Sequence, residues 1–264
     1  MQFEQPFLRA GACVLLMASV AAASAQADAP SASVDVGVLR HTLSDGYGSW
    51  TQQFVRGVYQ AGAADTWNAE LVHARQFGDR GTLLVLGNTH QFDERWYASL
   101  SAAGSNGGFF FPRARVDLSL NRKWLATRKL VGTLGLTAID AKDGHRDRSV
   151  LLGVAYYFDS PWVLEGGVRL NRSNPGRVAS NGKYAAVTYG RQQRQILALR
   201  YGFGSEAYQY VGPSALLVDF DSHVWNATWR AWLAPRRGIQ VRAEAYRNPF
   251  YARRGVELAA FQEF

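Results

Sequence analysis

From about Val34 to Phe264 the chain repeats one pattern: segments of 9–12 residues in which apolar and polar side chains alternate, each bounded by Gly, Asp, Asn, Pro or Ser. Strict alternation places each class on its own face of an extended strand. In Arg148–Phe158, Val150, Leu152, Val154, Tyr156 and Phe158 share one side, opposite Ser149, Gly153 and Ala155. In Trp162–Asn171, Trp162, Leu164, Val168 and Leu170 oppose Glu165, Gly167, Arg169 and Asn171. Gln195–Gly204 sets Leu197, Leu199, Tyr201 and Phe203 against Ala198, Arg200 and Gly202. Gly238–Tyr246 sets Ile239, Val241, Ala243 and Ala245 against Gln240, Arg242, Glu244 and Tyr246. Strands of soluble sheets run to about 5–6 residues, whereas a tilted strand that crosses a bilayer needs about 9–11. Such strands must close on themselves, because lipid offers no partner to a bare sheet edge. The pattern therefore predicts an all-β chain, an antiparallel transmembrane up-and-down β-barrel.

The expected strands are 34–42, 49–61, 66–77, 81–91, 96–105, 112–122, 129–140, 148–158, 161–171, 182–190, 195–205, 223–233, 238–248 and 253–264. That makes 14, with 12 as the alternative, because the connection 78–80 is short and the first four segments alternate less cleanly. An even number puts both ends on the periplasmic side and the long connections 43–48, 106–111, 141–147, 172–181 and 206–222 on the outer side. Aromatic residues at segment ends, Trp96, Trp162, Trp225, Tyr246 and Phe264, suit interfacial girdles.

The first 25 residues read as a cleaved secretory signal peptide: Arg9, an Ala/Val/Leu/Met-rich stretch, then Ala23-Ser24-Ala25. Its apolar core of about 14 residues is shorter than the roughly 20 that span a bilayer as a helix. Residues 26–33 form a short flexible periplasmic lead, and 34–264 the barrel. The only cysteine, Cys13, falls in the leader, which excludes disulfides, thiolate metal sites and cysteine nucleophiles from the exported chain. No cofactor and no metal site is expected.

Three ordered runs near the C-terminus carry a family resemblance. They are Tyr201-Gly202-Phe203-Gly204-Ser205-Glu206-Ala207-Tyr208-Gln209-Tyr210-Val211-Gly212-Pro213, then Trp232-Leu233-Ala234-Pro235-Arg236-Arg237-Gly238, then Tyr251-Ala252-Arg253-Arg254-Gly255-Val256-Glu257-Leu258. With a weaker likeness at Trp50–Phe54 and Phe110–Arg113, the chain resembles the YaiO-like outer-membrane β-barrel family. The resemblance marks Glu206, Tyr210, Gly212, Pro213, Arg253, Arg254 and Gly255 as family positions. It implies the bacterial outer membrane, with the barrel-assembly machinery as a transient partner that reads the terminal Phe264. Val256, Leu258, Ala260 and Phe264 keep the lipid-facing alternation there, and Gln262 departs from it.

The lysines number four against 25 arginines in a chain of net charge +8. On the faces assigned to the lumen lie Arg56, Arg115, Arg169, Arg200, Arg230 and Arg242, among Glu70, Asp117, Glu165, Glu244 and Glu257. A guanidinium holds a carboxylate, sulfate or phosphate by two parallel hydrogen bonds, and rings of charge set pore selectivity. These residues, Glu165 and Glu244 with them, are candidates for contact with anionic or saccharide solutes in a passive channel or export conduit. The alternative is that they pair with one another and close the lumen, leaving a structural or surface-exposed barrel. Tyr208, Tyr210, Trp225 and Trp232 could stack on sugar rings or simply pack in girdles and loops.

An outer-membrane lipid-modifying enzyme is the third reading. It would need a Ser–His pair, and Ser222-His223 and His41 with Ser44 are the nearest candidates. Adjacent strand residues face opposite ways, and no G-x-S-x-G or H-E-x-x-H occurs, so no catalytic residue is expected. Nucleic acid is not expected as a partner, because the basic residues are spread along alternating strands. Arg146, Arg148, Arg172, Arg177 and Arg247, near the outer rim, suit contact with lipopolysaccharide phosphates. A monomer is expected.

Overall fold

A computed structural model describes residues 31–142, 144–211 and 216–264. The predicted leader and its cleavage point lie outside the described residues. The strands are β1 Ala32–Leu43, β2 Ser49–Ala61, β3 Asp65–Gln76, β4 Asp79–Gln91, β5 Trp96–Gly107, β6 Ala114–Trp124, β7 Leu130–Asp140, β8 Arg146–Tyr157, β9 Trp162–Asn174, β10 Val178–Arg191, β11 Gln195–Tyr210, β12 Leu216–Ala234, β13 Arg237–Arg247 and β14 Ala252–Glu263. Each pairs antiparallel with its sequence neighbours, and β1 with β14 completes a closed barrel. The closing seam runs from Ser33 opposite Glu263 to Leu43 opposite Arg253, and Ser31 N–H donates to the Phe264 carbonyl at 2.8 Å. β1 therefore begins at Ala32, inside the segment expected to be a flexible lead.

Fourteen strands stand, and the alternative of 12 falls at a single hairpin. β3 and β4 are joined by Phe77 and Gly78 alone, with φ of 50° and 79°. Two positive φ values make the mirror-image turn that matches strand twist, so two residues suffice. The long connections expected at 172–181 and 206–222 are short, because the strands continue past the membrane: β9 and β10 leave only 175–177 between them, and β11 and β12 only 211–215.

The outer surface is apolar and half-exposed along the strand centres: Val36, Val38, Leu84, Leu86, Leu134, Leu136, Leu152 and Leu258 all point outward. Near the end that carries the termini the belt is edged by Tyr59, Trp67, Trp124, Phe158, Trp162, Tyr189 and Trp229. Arg122 stacks on the girdle ring of Trp124 at 3.9 Å and on Trp96 at 5.0 Å. Tyr246, expected in a girdle, is instead buried inside, since it keeps the parity of Gln240, Arg242 and Glu244. A strand of 11 residues spans about 36 Å at ~3.3 Å each, and a tilt of about 40° leaves roughly 28 Å of height, enough for an apolar band of about 25 Å.

Inside, the two halves of the wall differ. On β2 to β5 a dry cluster of Phe54, Val72, Ala74, Leu83, Val85 and Ala103 receives Phe110 and Phe111 from the β5–β6 connection, which folds inward. Asp79 fixes that fold by accepting the Phe109 N–H at 2.8 Å, and Lys142 donates to the carbonyls of Gly107 and Gly108.

Candidate functional site

The lumen collects the arginines that alternation placed there, and several are seated in the same way. An inward glycine leaves room for an aromatic ring opposite it on the next strand, and a guanidinium lies on that ring. Phe54 fills the space at Gly37, where a Cβ would come within 2.4 Å of its ring, and Arg56 sits 3.8 Å from the ring centre. Phe261 does so at Gly238, with Arg230 at 3.6 Å. Tyr184 does so at Gly167, with Arg200 at 3.6 Å. Cation–π contact of this kind adds about 0.5–2 kcal/mol as it is desolvated.

Around β13, β14 and β1 the charges neutralise one another. Glu257 is fully buried and accepts from Arg56 at 3.1 Å, from Gln240 at 3.3 Å and from Arg242. Arg56 also donates to Glu70 at 2.7 Å. Arg230 holds Asp35 through two nitrogens, at 2.7 and 3.3 Å. Nearer the loop end, Arg253 donates to Glu244 at 2.9 and 2.8 Å, and His41 Nε2 lies 3.1 Å from the same carboxylate. Arg253 also stacks on Trp50 and Tyr246, at 4.6 and 4.5 Å. The Tyr246 hydroxyl donates to Glu206 at 2.8 Å, and Asn248 donates to the Tyr246 hydroxyl and to Gln209. The family positions Glu206, Arg253 and Gly255 thus meet in one buried cluster. Gly255 belongs to it by shape, since a Cβ there would lie 2.0 Å from the His41 ring. Arg254 points outward and is exposed. Gly212 and Pro213, and the Tyr210 side chain, lie outside the described residues.

Across this half of the loop end runs a chain of aromatic contacts. Tyr246 touches Tyr251, Tyr251 touches Tyr47, and Tyr47 touches Phe77, with ring centres 5.6, 5.4 and 6.0 Å apart. Phe77 continues to Phe109 and then Phe110, at 6.3 and 5.8 Å.

The wall of β8 to β11 is different in kind. Its inward positions Gly153, Glu165, Gly167, Arg169, Ala186 and Arg200 are partly exposed at mid-barrel, with Ala155 buried among them, and Thr188 and Ala198 are partly exposed nearer the girdle. In contrast, every inward side chain from Gln240 to Tyr246 on β13 and from Arg253 to Phe261 on β14 is buried. Arg169 donates at 3.1 and 2.8 Å to the hydroxyls of Thr137 and Ser149, and no described carboxylate forms an ion pair with it. Its lateral neighbours toward β12 are Gly182, Gly204 and Ser222, none of which carries a charge. Arg200 and Glu165 flank Ala186 in another row. Arg115, on β6, is buried and held by Asp117, at 2.7 and 2.6 Å.

Of the aromatics considered for sugar stacking, Trp225 is on the outside against Tyr201, at 4.4 Å. Trp232 donates to Glu263 near the terminal end, and Tyr208 bonds to the Pro175 carbonyl. They do not share one lumen surface. Ser222 is buried inside while His223 bonds to Tyr201 outside, so these two form no pair. Ser44 bonds to Asp45 and to the Ala252 N–H, whereas His41 faces Glu244. Among the described residues no group of acids and histidines could hold a metal ion.

Comparison with known proteins adds the family. The model of the YaiO membrane beta barrel domain matches residues 31–209. The chain belongs to this family. The matched span ends at Gln209, so it takes in Trp50–Phe54, Phe110–Arg113 and Tyr201–Gln209 but not the two later runs that carried the resemblance. Solved structures of similar fold are outer-membrane barrels. One is the CymD monoaromatic hydrocarbon channel, at TM-score 0.59 and 7% identity over 90% of this chain and 89% of that one. Another is a bacterial polysaccharide outer membrane secretin, at 0.56 and 8% over 90% and 100%. A third is an anion-selective porin from Comamonas acidovorans, at 0.51 and 10% over 88% and 98%. At such identities the likeness is one of fold. No curated protein matches the chain by sequence. This YaiO-family protein is a β-barrel of the bacterial outer membrane.

Proposed function

We propose that this barrel is a narrow passive channel whose water path follows the inner wall of β8 to β11, with its loop end outward and its termini in the periplasm. The supporting observation is that wall's partial exposure at mid-barrel, set against the buried wall of β13, β14 and β1. Glycine, alanine and hydroxyl side chains keep it open, and Arg169 and Arg200 bring positive charge to it. Because Arg169 is solvated by hydroxyls and paired with no described carboxylate, a passing carboxylate or phosphate can take its open donors. Small anions and acidic saccharides are the solute class this surface suits. Arg56, Arg230 and Arg242, proposed from the alternation as part of a selectivity ladder, act here as the fixed, neutralised wall.

A closed lumen is the competing reading, favoured by the aromatic chain across the loop end. Single-channel recording of the refolded protein in a planar bilayer decides between them. Discrete anion-selective steps that shrink on Arg169→Gln support the channel. Absence of steps from a folded, heat-modifiable barrel overturns it. The outward, exposed Phe264 is the contact we assign to the assembly machinery.

A further inference from the structure

On the outer face, next to the loop end, β8 and β9 carry two arginines directly opposite each other. Arg148 pairs in register with Arg172, and the flanking partners are Ala138 on β7 and Ala179 on β10. All four positions are exposed and point away from the lumen. Like charges placed directly opposite on a sheet are unfavourable, yet among the described residues no carboxylate pairs with either guanidinium. Of the described acids close by, Asp147 points inward and is buried, and Asp140 is engaged by Arg113 at 3.3 Å and Arg146 at 3.4 Å. The short alanines on both sides leave a notch whose floor is β-sheet and whose charge is uncompensated.

The height of this notch says what it meets. Below it on the same face come Val150 opposite Leu170, then Leu152 opposite Val168, which are membrane-facing aliphatics. From Arg148 down to the girdle ring of Phe158 is 10 residues, about 33 Å along the strand at ~3.3 Å each. Tilted by about 40°, that is roughly 25 Å of height, the thickness of the apolar band. The arginine pair therefore stands at the upper edge of that band, level with lipid head groups.

We propose that Arg148 and Arg172 form a binding site for the phosphate of a phosphorylated glycolipid of the outer leaflet, its acyl chains lying down the Val150, Leu170, Leu152 and Val168 face. Two guanidiniums can give one phosphate parallel, charge-assisted hydrogen bonds, which relieves their mutual repulsion. Exposed Arg177, in the β9–β10 turn, adds positive charge above the notch. The inference is independent of whether the lumen conducts.

The test titrates purified lipid A into the detergent-folded barrel and follows binding by native mass spectrometry. Parallel titrations use lipid A stripped of phosphate, and phosphatidylglycerol. The wild type is expected to retain lipid A at least tenfold more tightly than either control. Arg148→Gln with Arg172→Gln removes that preference, while Arg247→Gln, on a different part of the rim, keeps it. Heat modifiability confirms that each variant is folded. Equal retention of lipid A by the double variant, or of the dephosphorylated lipid by the wild type, overturns the site. Equal retention of phosphatidylglycerol through the same two arginines overturns its assignment to a glycolipid.

Discussion

Replacing Glu257 by Gln should cost more stability than any other single change of an acid in the lumen. Glu257 is fully buried, and it is the shared acceptor for Arg56, Arg242 and Gln240. Glutamine has the same shape but turns one acceptor into a donor that faces guanidinium donors. Arg56 keeps Glu70 at 2.7 Å, so most of the loss falls on Arg242, left buried among cations. Hydrogen bonds to charged groups contribute about 1.5–3 kcal/mol each, and removing one partner of a buried pair costs about 3–5 kcal/mol. We expect about 3–5 kcal/mol for Glu257→Gln by those measures, against about 1 kcal/mol for Glu70→Gln, whose arginine keeps Glu257. Urea unfolding in lipid vesicles, followed by tryptophan fluorescence and gel mobility, measures both. The double variant Arg242→Gln with Glu257→Gln should recover at least about 1 kcal/mol relative to additivity, since residues in one network couple by roughly 0.5–3 kcal/mol. A Glu257→Gln change within about 0.5 kcal/mol of the wild type, the range of an ordinary surface substitution, would refute the buried hub.

Three further outcomes follow from the same structure. Gly255→Ala should lower the folded yield in vesicles, because its Cβ would lie 2.0 Å from the His41 ring, and His41→Ala in the same chain should restore it. Phe110→Ala should destabilise by about 3–5 kcal/mol, the usual cost of emptying a buried phenyl site, and raise single-channel conductance as the inward connection loosens; an unchanged conductance would free the connection from any part in the constriction. Asp93, in the β4–β5 turn, accepts the N–H groups of Arg95 and Trp96 at 2.6 and 2.7 Å, which hold its carboxyl below the ordinary range. The ionised form is the one favoured by folding, so its contribution is present above the ordinary aspartate pKa of about 3.9 and is lost as pH falls through the lowered folded value. The stability difference between wild type and Asp93→Ala should shrink over that acid window and be flat above it.

Strand number and the inward set of arginines were legible because period-2 alternation acts residue by residue. Val150, Leu152 and Val154 can face lipid only if Ser149, Leu151 and Gly153 face in. The first strands read less cleanly for a physical reason. Leu83, Leu84, Val85 and Leu86 form an unbroken apolar run because Leu84 and Leu86 meet lipid while Leu83 and Val85 pack on Phe110 and Phe111. Only the inward fold of the β5–β6 connection makes both faces apolar, and alternation carries no trace of it. The ends of β9 to β12 resembled loops because Arg172, Ser173, Asn174 and their neighbours stand above the lipid, where polar residues occupy both faces. Pairing was the least legible feature. Arg56 and Arg169 both face inward, yet one meets Glu257 across the closing seam and the other meets hydroxyls, a difference set by register around the whole ring.

A water path along the β8 to β11 wall would make that wall reachable by thiol reagents from solution. The only cysteine of the sequence is Cys13, in the predicted leader, so single cysteines can be placed on an exported chain otherwise free of thiols. Ala186→Cys and Ala198→Cys, on partly exposed inward positions, should react with a charged, membrane-impermeant thiosulfonate and reduce the conductance as they do. Ala259→Cys, inward but buried in the cluster around Phe54, should react far more slowly. Equal protection of all three in a folded barrel would contradict a water path along that wall.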